Sequence, residues 1–176
     1  KTSSVTTDTV TATTSFGSAS ASTRDSIEER ADNGAQTTNS WQSNDLEMHN
    51  CDSTEFSSSV CSSSTQRRLY TGLVFQNVSI PTGSTITSAT VMMTGGTPAG
   101  ASGNVTHRLY GLLNSASNPH LPLFSSSGSG QVRNKITNAG LRTTAFTDVT
   151  TNNFPPGNTT SFDVTNIVQE LVNNSN

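Results

Sequence analysis

Eight of the twelve acidic residues, Asp25, Glu28, Glu29, Asp32, Asp45, Glu47, Asp52 and Glu55, fall between positions 25 and 55. Carboxylates are hard oxygen donors. Gathered from two adjacent strands they suit calcium, which takes about six to eight oxygens and would offset their mutual repulsion. In Asp45-Leu46-Glu47-Met48, strand alternation puts both carboxylates on one face and the apolar pair on the other. Glu29, Asp45 and Glu47 are the expected ligands, and calcium is the one cofactor the chain suggests. There is no EF-hand-type loop, and the same acids also read as a solvated edge partly neutralised by Arg30, Arg67 and Arg68.

The other chemistry-bearing residues do not converge on catalysis. His49, His107 and His120 lie far apart, with no His-Glu-x-x-His or Gly-x-Ser-x-Gly pattern, and Gly95–Gly100 lacks the Lys-Ser/Thr ending of a phosphate loop. The paired acids sit on an apparent edge rather than in the cleft that glycoside hydrolysis needs. The expectation is a protein that is not an enzyme. Cys51 and Cys61, the only cysteines, lie in a Ser-rich loop over 50–66. As a disulfide they would close a short loop and contribute roughly 2–3 kcal/mol, and the exposed context favours that over two free thiols. Trp41 is the one candidate sugar platform, since Tyr70 and Tyr110 read as core-strand residues; packing in the core or at an edge is the competing reading for Trp41. Asn77, Asn104, Asn158 and Asn173 begin Asn-x-Ser/Thr sequons, against about five expected by chance, so they show no enrichment. Asn77, Asn104 and Asn158 are the glycosylation candidates, ahead of Asn173 in the last helical turn.

The elements that must position these groups are built from unusual material. Ser and Thr number 57 of 176 residues, while charged residues make up 12% and hydrophobic ones 30%. That excludes a coiled coil, a helical bundle and a basic nucleic-acid-binding domain. A net charge of −3 gives no footprint for phosphate backbones, and no run reaches the length of a membrane-spanning helix. The chain begins at Lys1 with no apolar leader, so either a signal peptide has been removed or the sequence starts where order starts, and both readings fit the expected secreted protein.

Half of the hydroxyl residues are Thr, which is β-branched and favours strands. Thr2–Thr14 reads as an extended segment with Val5, Val10 and Ala12 its only apolar residues, joined by a small-residue link to a domain over 23–176. Leu69–Phe75 is apolar on both faces and reads as a central strand. Thr82-Gly83 marks a turn, and Ile86–Met93 reads as a strand with Thr87, Ala89, Val91 and Met93 on one face. Further strands are expected over 105–112 and 141–149, with loop over 114–130. Val164, Ile167, Val168, Leu171 and Val172 form the stripe of an amphipathic helix, with Asp163 placed to cap it.

Asp25-Ser-Ile-Glu-Glu29, Ser43-Asn-Asp-Leu-Glu-Met48, the run Leu73–Ala89, Arg142-Thr-Thr-Ala145 and Ile167-Val-Gln-Glu-Leu-Val172 occur in an order that resembles the DNRLRE (disaggregatase-related) β-sandwich modules of large secreted surface proteins. The resemblance spans roughly residues 25–173. It implies an all-β, antiparallel jelly-roll-like sandwich with one short C-terminal helix, an extracellular or cell-surface setting with adhesive or carbohydrate-associated roles, and calcium in some relatives. In such modules further strands follow the helix, whereas here the chain stops at Asn176, so a sandwich lacking its last strand is expected.

An incomplete sandwich exposes unpaired backbone that must be covered. The N-terminal segment is the expected cover, with Val5, Thr7, Thr9, Val10 and Ala12 at the contact. Filling its own groove it would make a permuted monomer; filling a neighbour's it would make a head-to-tail homopolymer. The expected function is therefore an extracellular structural subunit that forms filaments by donor-strand complementation. The alternative is a monomeric carbohydrate-binding or adhesive module of a larger surface protein, with glycans as partners.

Overall fold

The computed structural model describes residues 8–12, 23–24, 26–30, 69–76, 78–95, 104–113, 124–125, 130–152 and 157–174. They form strands β1 (Thr23–Arg24), β2 (Ser26–Arg30), β3 (Leu69–Leu73), β4 (Thr90–Thr94), β5 (Asn104–Leu112) and β6 (Phe124–Ser125), the short helix α1 (Arg133–Ile136), a 3-10 turn (Ala139–Leu141), strands β7 (Arg142–Asn152) and β8 (Thr159–Asp163), and the helix α2 (Thr165–Asn173). The protein is strand-rich, with antiparallel pairing and a short C-terminal helix, as the sequence implies. Among the described residues the strands pair two by two, β1 with β6, β2 with β3, β4 with β8 and β5 with β7. Among the described residues no helix is long and apolar enough to cross a membrane.

The turn before β4 follows from its residues. Ser84 N–H donates to the Pro81 carbonyl at 3.1 Å, and Gly83 adopts φ 80°, the left-handed conformation a type II turn requires at its third residue. The strand expected from Ile86 begins only at Thr90. The intervening backbone is engaged by α2 instead. Ile86 N–H donates to Gln169 Oε1 at 2.8 Å, Ala89 N–H to Thr165 Oγ1 at 3.0 Å, and the Ala89 carbonyl accepts from Val164 N–H at 2.9 Å. Within β4 the expected alternation holds, with Val91 and Met93 half-buried and Met92 68% exposed.

Among the described residues strands β5 and β7 form the longest ladder, interrupted by a bulge between Tyr110 and Leu112. Gly111 N–H, displaced from regular pairing there, donates to Thr143 Oγ1 at 2.9 Å, while that buried hydroxyl donates to the Ala145 carbonyl at 2.8 Å. Gly111 also sets how closely α2 approaches, because a Cβ there would lie 2.9 Å from both Ile167 and Leu171. The opposite face of the ladder carries Arg108, Tyr110, Phe146 and Asp148. Tyr110 therefore lies on the side away from α2 rather than in a core, beneath the Arg142 guanidinium at 3.9 Å and beside Phe146, with ring centroids 5.8 Å apart.

A second centre of packing joins β2–β3 to α1. Ile27, Phe124 and Val132 are buried together, with Tyr70 and Val74 against them. Glu29, fully buried on the same strand as Ile27, turns its carboxylate to the start of α1. Oε1 accepts from Gln131 N–H at 2.5 Å, and Oε2 accepts from Val132 and Arg133 N–H at 2.8 Å each. A carboxylate on β2 thus supplies acceptors to amides at the start of the helix, where the helical ladder has not yet begun. The helix in turn packs against β5.

Helix α2 buries Ile167 and Val172 on its expected stripe, and Val164 at its cap is buried with them. Asp163 lies one residue before the cap position and accepts from Thr165 N–H at 2.9 Å and the Thr165 hydroxyl at 2.7 Å. Glu170 braces the helix to β7, accepting from Thr144 N–H and Ala145 N–H at 2.8 Å each and from the Thr144 hydroxyl at 3.0 Å. Burial opposes the charge of Glu170, but the amides of Ala145 and Thr144 and the Thr144 hydroxyl outweigh it and hold the carboxyl below its ordinary 4.5. A lowered folded value contributes stability that is complete above the unfolded value and is lost as pH falls through the folded one. The melting temperature should therefore drop with acid below about 4.5, and Glu170→Gln should flatten that drop while lowering the melting temperature at neutral pH. Identical slopes for the two proteins would show that Glu170 contributes nothing to acid sensitivity.

Candidate functional site

An open groove of about 2340 Å³ runs between the described strands and the C-terminal helix. Pockets for small ligands run to about 300–1,000 Å³, so this volume suits a segment of polypeptide better than a small molecule.

Its walls are strand edges. A strand that turns a face to a cavity contributes alternate residues, whereas one that lies edge-on contributes every residue. Every residue from Leu69 to Gln76 and every residue from Thr106 to Leu113 lines the groove. Strand β3 thus presents the edge opposite β2, and β5 the edge opposite β7; among the described residues no further strand pairs there. The floor is apolar and presented face-on. It includes Val91 and Met93 from β4 and Ile167, Val168 and Leu171 from α2, the latter held against the 84–89 segment by Gln169 and Thr165.

The N-terminal segment reaches this groove. Asp8, Val10 and Ala12 line it, while Thr9 and Thr11 do not. Residues 8, 10 and 12 thus share a face at the spacing of an extended strand. The segment is not seated, however. Val10 remains 48% exposed, and among the described residues 8–12 make no backbone ladder with β3 or β5.

Among the described residues, five charged side chains line the groove: Asp8, Arg108, Lys135, Arg142 and Asp148. Arg108 and Asp148 satisfy each other across the β5–β7 ladder through two hydrogen bonds at 2.6 and 2.5 Å. That contact draws the Asp148 carboxyl below its usual range, and Arg108 also lies 4.3 Å over the Phe146 ring. Lys135 and Arg142 have no carboxylate partner among the described residues, and Arg142 Nε is buried without a hydrogen-bond partner.

The residues singled out from the sequence fare unequally. Val10 and Ala12 are at the groove as expected; Thr9, also expected at the contact, does not line it, and Val5 and Thr7 lie outside the described residues. Glu29 is fully buried and accepts from the backbone amides of Gln131, Val132 and Arg133 at the start of α1. Asp45 and Glu47 lie outside the described residues, among which no group of three or more His, Cys, Asp or Glu could hold a metal ion. Trp41, Cys51, Cys61 and Asn77 also lie outside them. Asn104 opens β5, and Asn158 is exposed beside Gly157, whose φ is 77°. Sequence reasoning missed Lys135, Arg142 and the edge of β3. The signal for that edge was present, because an apolar pattern on both faces of Leu69–Phe75 marks a strand meant for the middle of a sheet.

No protein-family description, no curated protein and no solved structure matches the chain.

Proposed function

We propose that the protein is an extracellular structural subunit that polymerises head-to-tail, the N-terminal segment of one copy entering the groove of the next as a donor strand. The observation that carries this reading is the groove walled by the edges of β3 and β5 and lined, without being filled, by Asp8, Val10 and Ala12 of the same chain. An inserted strand would pair on both sides and join β2, β3, β5 and β7 into one sheet of a jelly-roll-like sandwich. It would also remove two strand edges that invite non-specific pairing. Strand β3, apolar on both faces, would then occupy the central position its sequence implies. A segment able to complete its own groove would be paired there within a single chain; the exposed Val10 favours a neighbour as acceptor.

Deleting residues 1–14 tests the proposal. Electron microscopy of the full chain should show long filaments, and the truncated chain should give only small particles. Filaments that persist after truncation would overturn the reading. Small particles from the full chain would favour instead a monomeric adhesive module, for which the Tyr110–Phe146 pair, with Phe146 49% exposed, offers an aromatic surface.

A further inference from the structure

Residues 2–14 contain a single charge, Asp8, and it shares a face with Val10 and Ala12. An acid on the apolar side of an inserted strand is costly unless the acceptor supplies a partner, because a desolvated charge must be compensated. Among the described residues the Asp8 carboxylate now accepts only its neighbour's amide, Thr9 N–H at 2.9 Å. The groove holds the complement. Arg108 is spent on Asp148, which leaves Lys135 and Arg142 as the lining charges without a carboxylate partner among the described residues. Both belong to the segment from α1 into β7, and Arg142 is paired with Leu112 at the end of β5, so they mark one end of the groove.

We infer that Asp8 of the incoming strand is a register lock, seated against Lys135 and Arg142 of the acceptor copy. The inference rests on the head-to-tail reading above. The need for a lock follows from composition. A segment that is mostly Thr has few apolar side chains to distinguish one register from the next, and a slip of one residue exchanges its two faces. A slip of two keeps the faces and carries the carboxylate past its partners. Charge pairing at one end penalises both.

The test is elongation of the full-length chain, followed by light scattering and microscopy. Asp8→Lys should slow elongation by roughly tenfold or more, since it sets like charges together. Thr11→Lys, on the face away from the groove, should elongate close to the wild-type rate. Joining Asp8→Lys to Lys135→Glu and Arg142→Glu should restore most of the lost rate, and added salt should slow the wild type more than it slows Asp8→Asn. The outcomes separate the two claims. Filaments surviving the deletion of residues 1–14 would remove the head-to-tail reading itself. If that deletion abolishes filaments while Asp8→Lys elongates normally, or while the reversed charges rescue nothing, the register lock alone is overturned.

Discussion

Replacing Glu29 with Ala should lower the unfolding free energy by roughly 3–5 kcal/mol, read as a shift of the urea midpoint at unchanged slope. The side chain is fully buried and accepts three backbone hydrogen bonds. Hydrogen bonds to a charged group contribute about 1.5–3 kcal/mol each, and a buried donor left without an acceptor carries its own penalty. Helix α1 spans only four residues, far below the length at which a helix holds together unaided. It persists because β2 supplies its first-turn acceptors and because Val132 packs on Ile27 and Phe124. The neighbouring Gly72 shows how close that packing is, since a Cβ there would fall 2.5 Å from Val132 and 2.6 Å from Phe124. Glu29→Gln should cost less than Ala but remain destabilising, because one amide would then face an NH2 group instead of an oxygen. An unchanged midpoint in both variants would show that the contact between β2 and α1 is not a brace. The prediction reaches the groove as well: α1 packs against β5 while Val132, at its cap, lies against Gly72 of β3, so losing it should loosen the spacing between the two edges and slow assembly without altering the donor strand.

What was legible in the sequence divides along physical lines. Helix α2 announced itself because five apolar residues repeat over enough turns to define a period. The Thr82-Gly83 turn was legible because its backbone needs a residue tolerant of positive φ. Strand β4 was read four residues too long. The alternation from Ile86 was real, but the amides of Ile86 and Ala89 went to Gln169 and Thr165, partners about eighty residues away that no local pattern announces. Helix α1 was missed because four residues are too few to show a period, and β8 because Phe162 is its only apolar residue, which leaves no alternation to read. Glu29 shows the limit at the site itself. Its place in a run of acids suggested a ligand role, whereas its hydrogen bonds to three backbone amides belong to groups that every sequence contains and none displays.

The groove and its occupant can be separated from filament formation altogether. A chain lacking residues 1–14 should accept a synthetic peptide of residues 2–14, and the stabilisation of the complex measures the contact directly. At a peptide concentration about one hundredfold above its dissociation constant, binding to the folded state alone adds about 2.7 kcal/mol. For a chain of this length that corresponds to a rise in melting temperature of roughly 5–10 °C. Most of the hold should come from backbone pairing on two edges, since the donor offers only Val5, Val10 and Ala12 as apolar anchors and each net hydrogen bond is worth about 0.5–1.5 kcal/mol. Face and length should therefore matter more than any one side chain. A peptide with Val10→Asp, which places a second acid over the apolar floor, should lose most of the rise, whereas Thr11→Asp should keep it. Inserting one residue between Thr9 and Val10 should be as damaging as the Asp, because it turns Val10 and Ala12 away from the floor whenever Asp8 faces its cations. Equal stabilisation by all four peptides would mean that the segment binds without a fixed register, and no stabilisation by any would mean that the groove is not its acceptor.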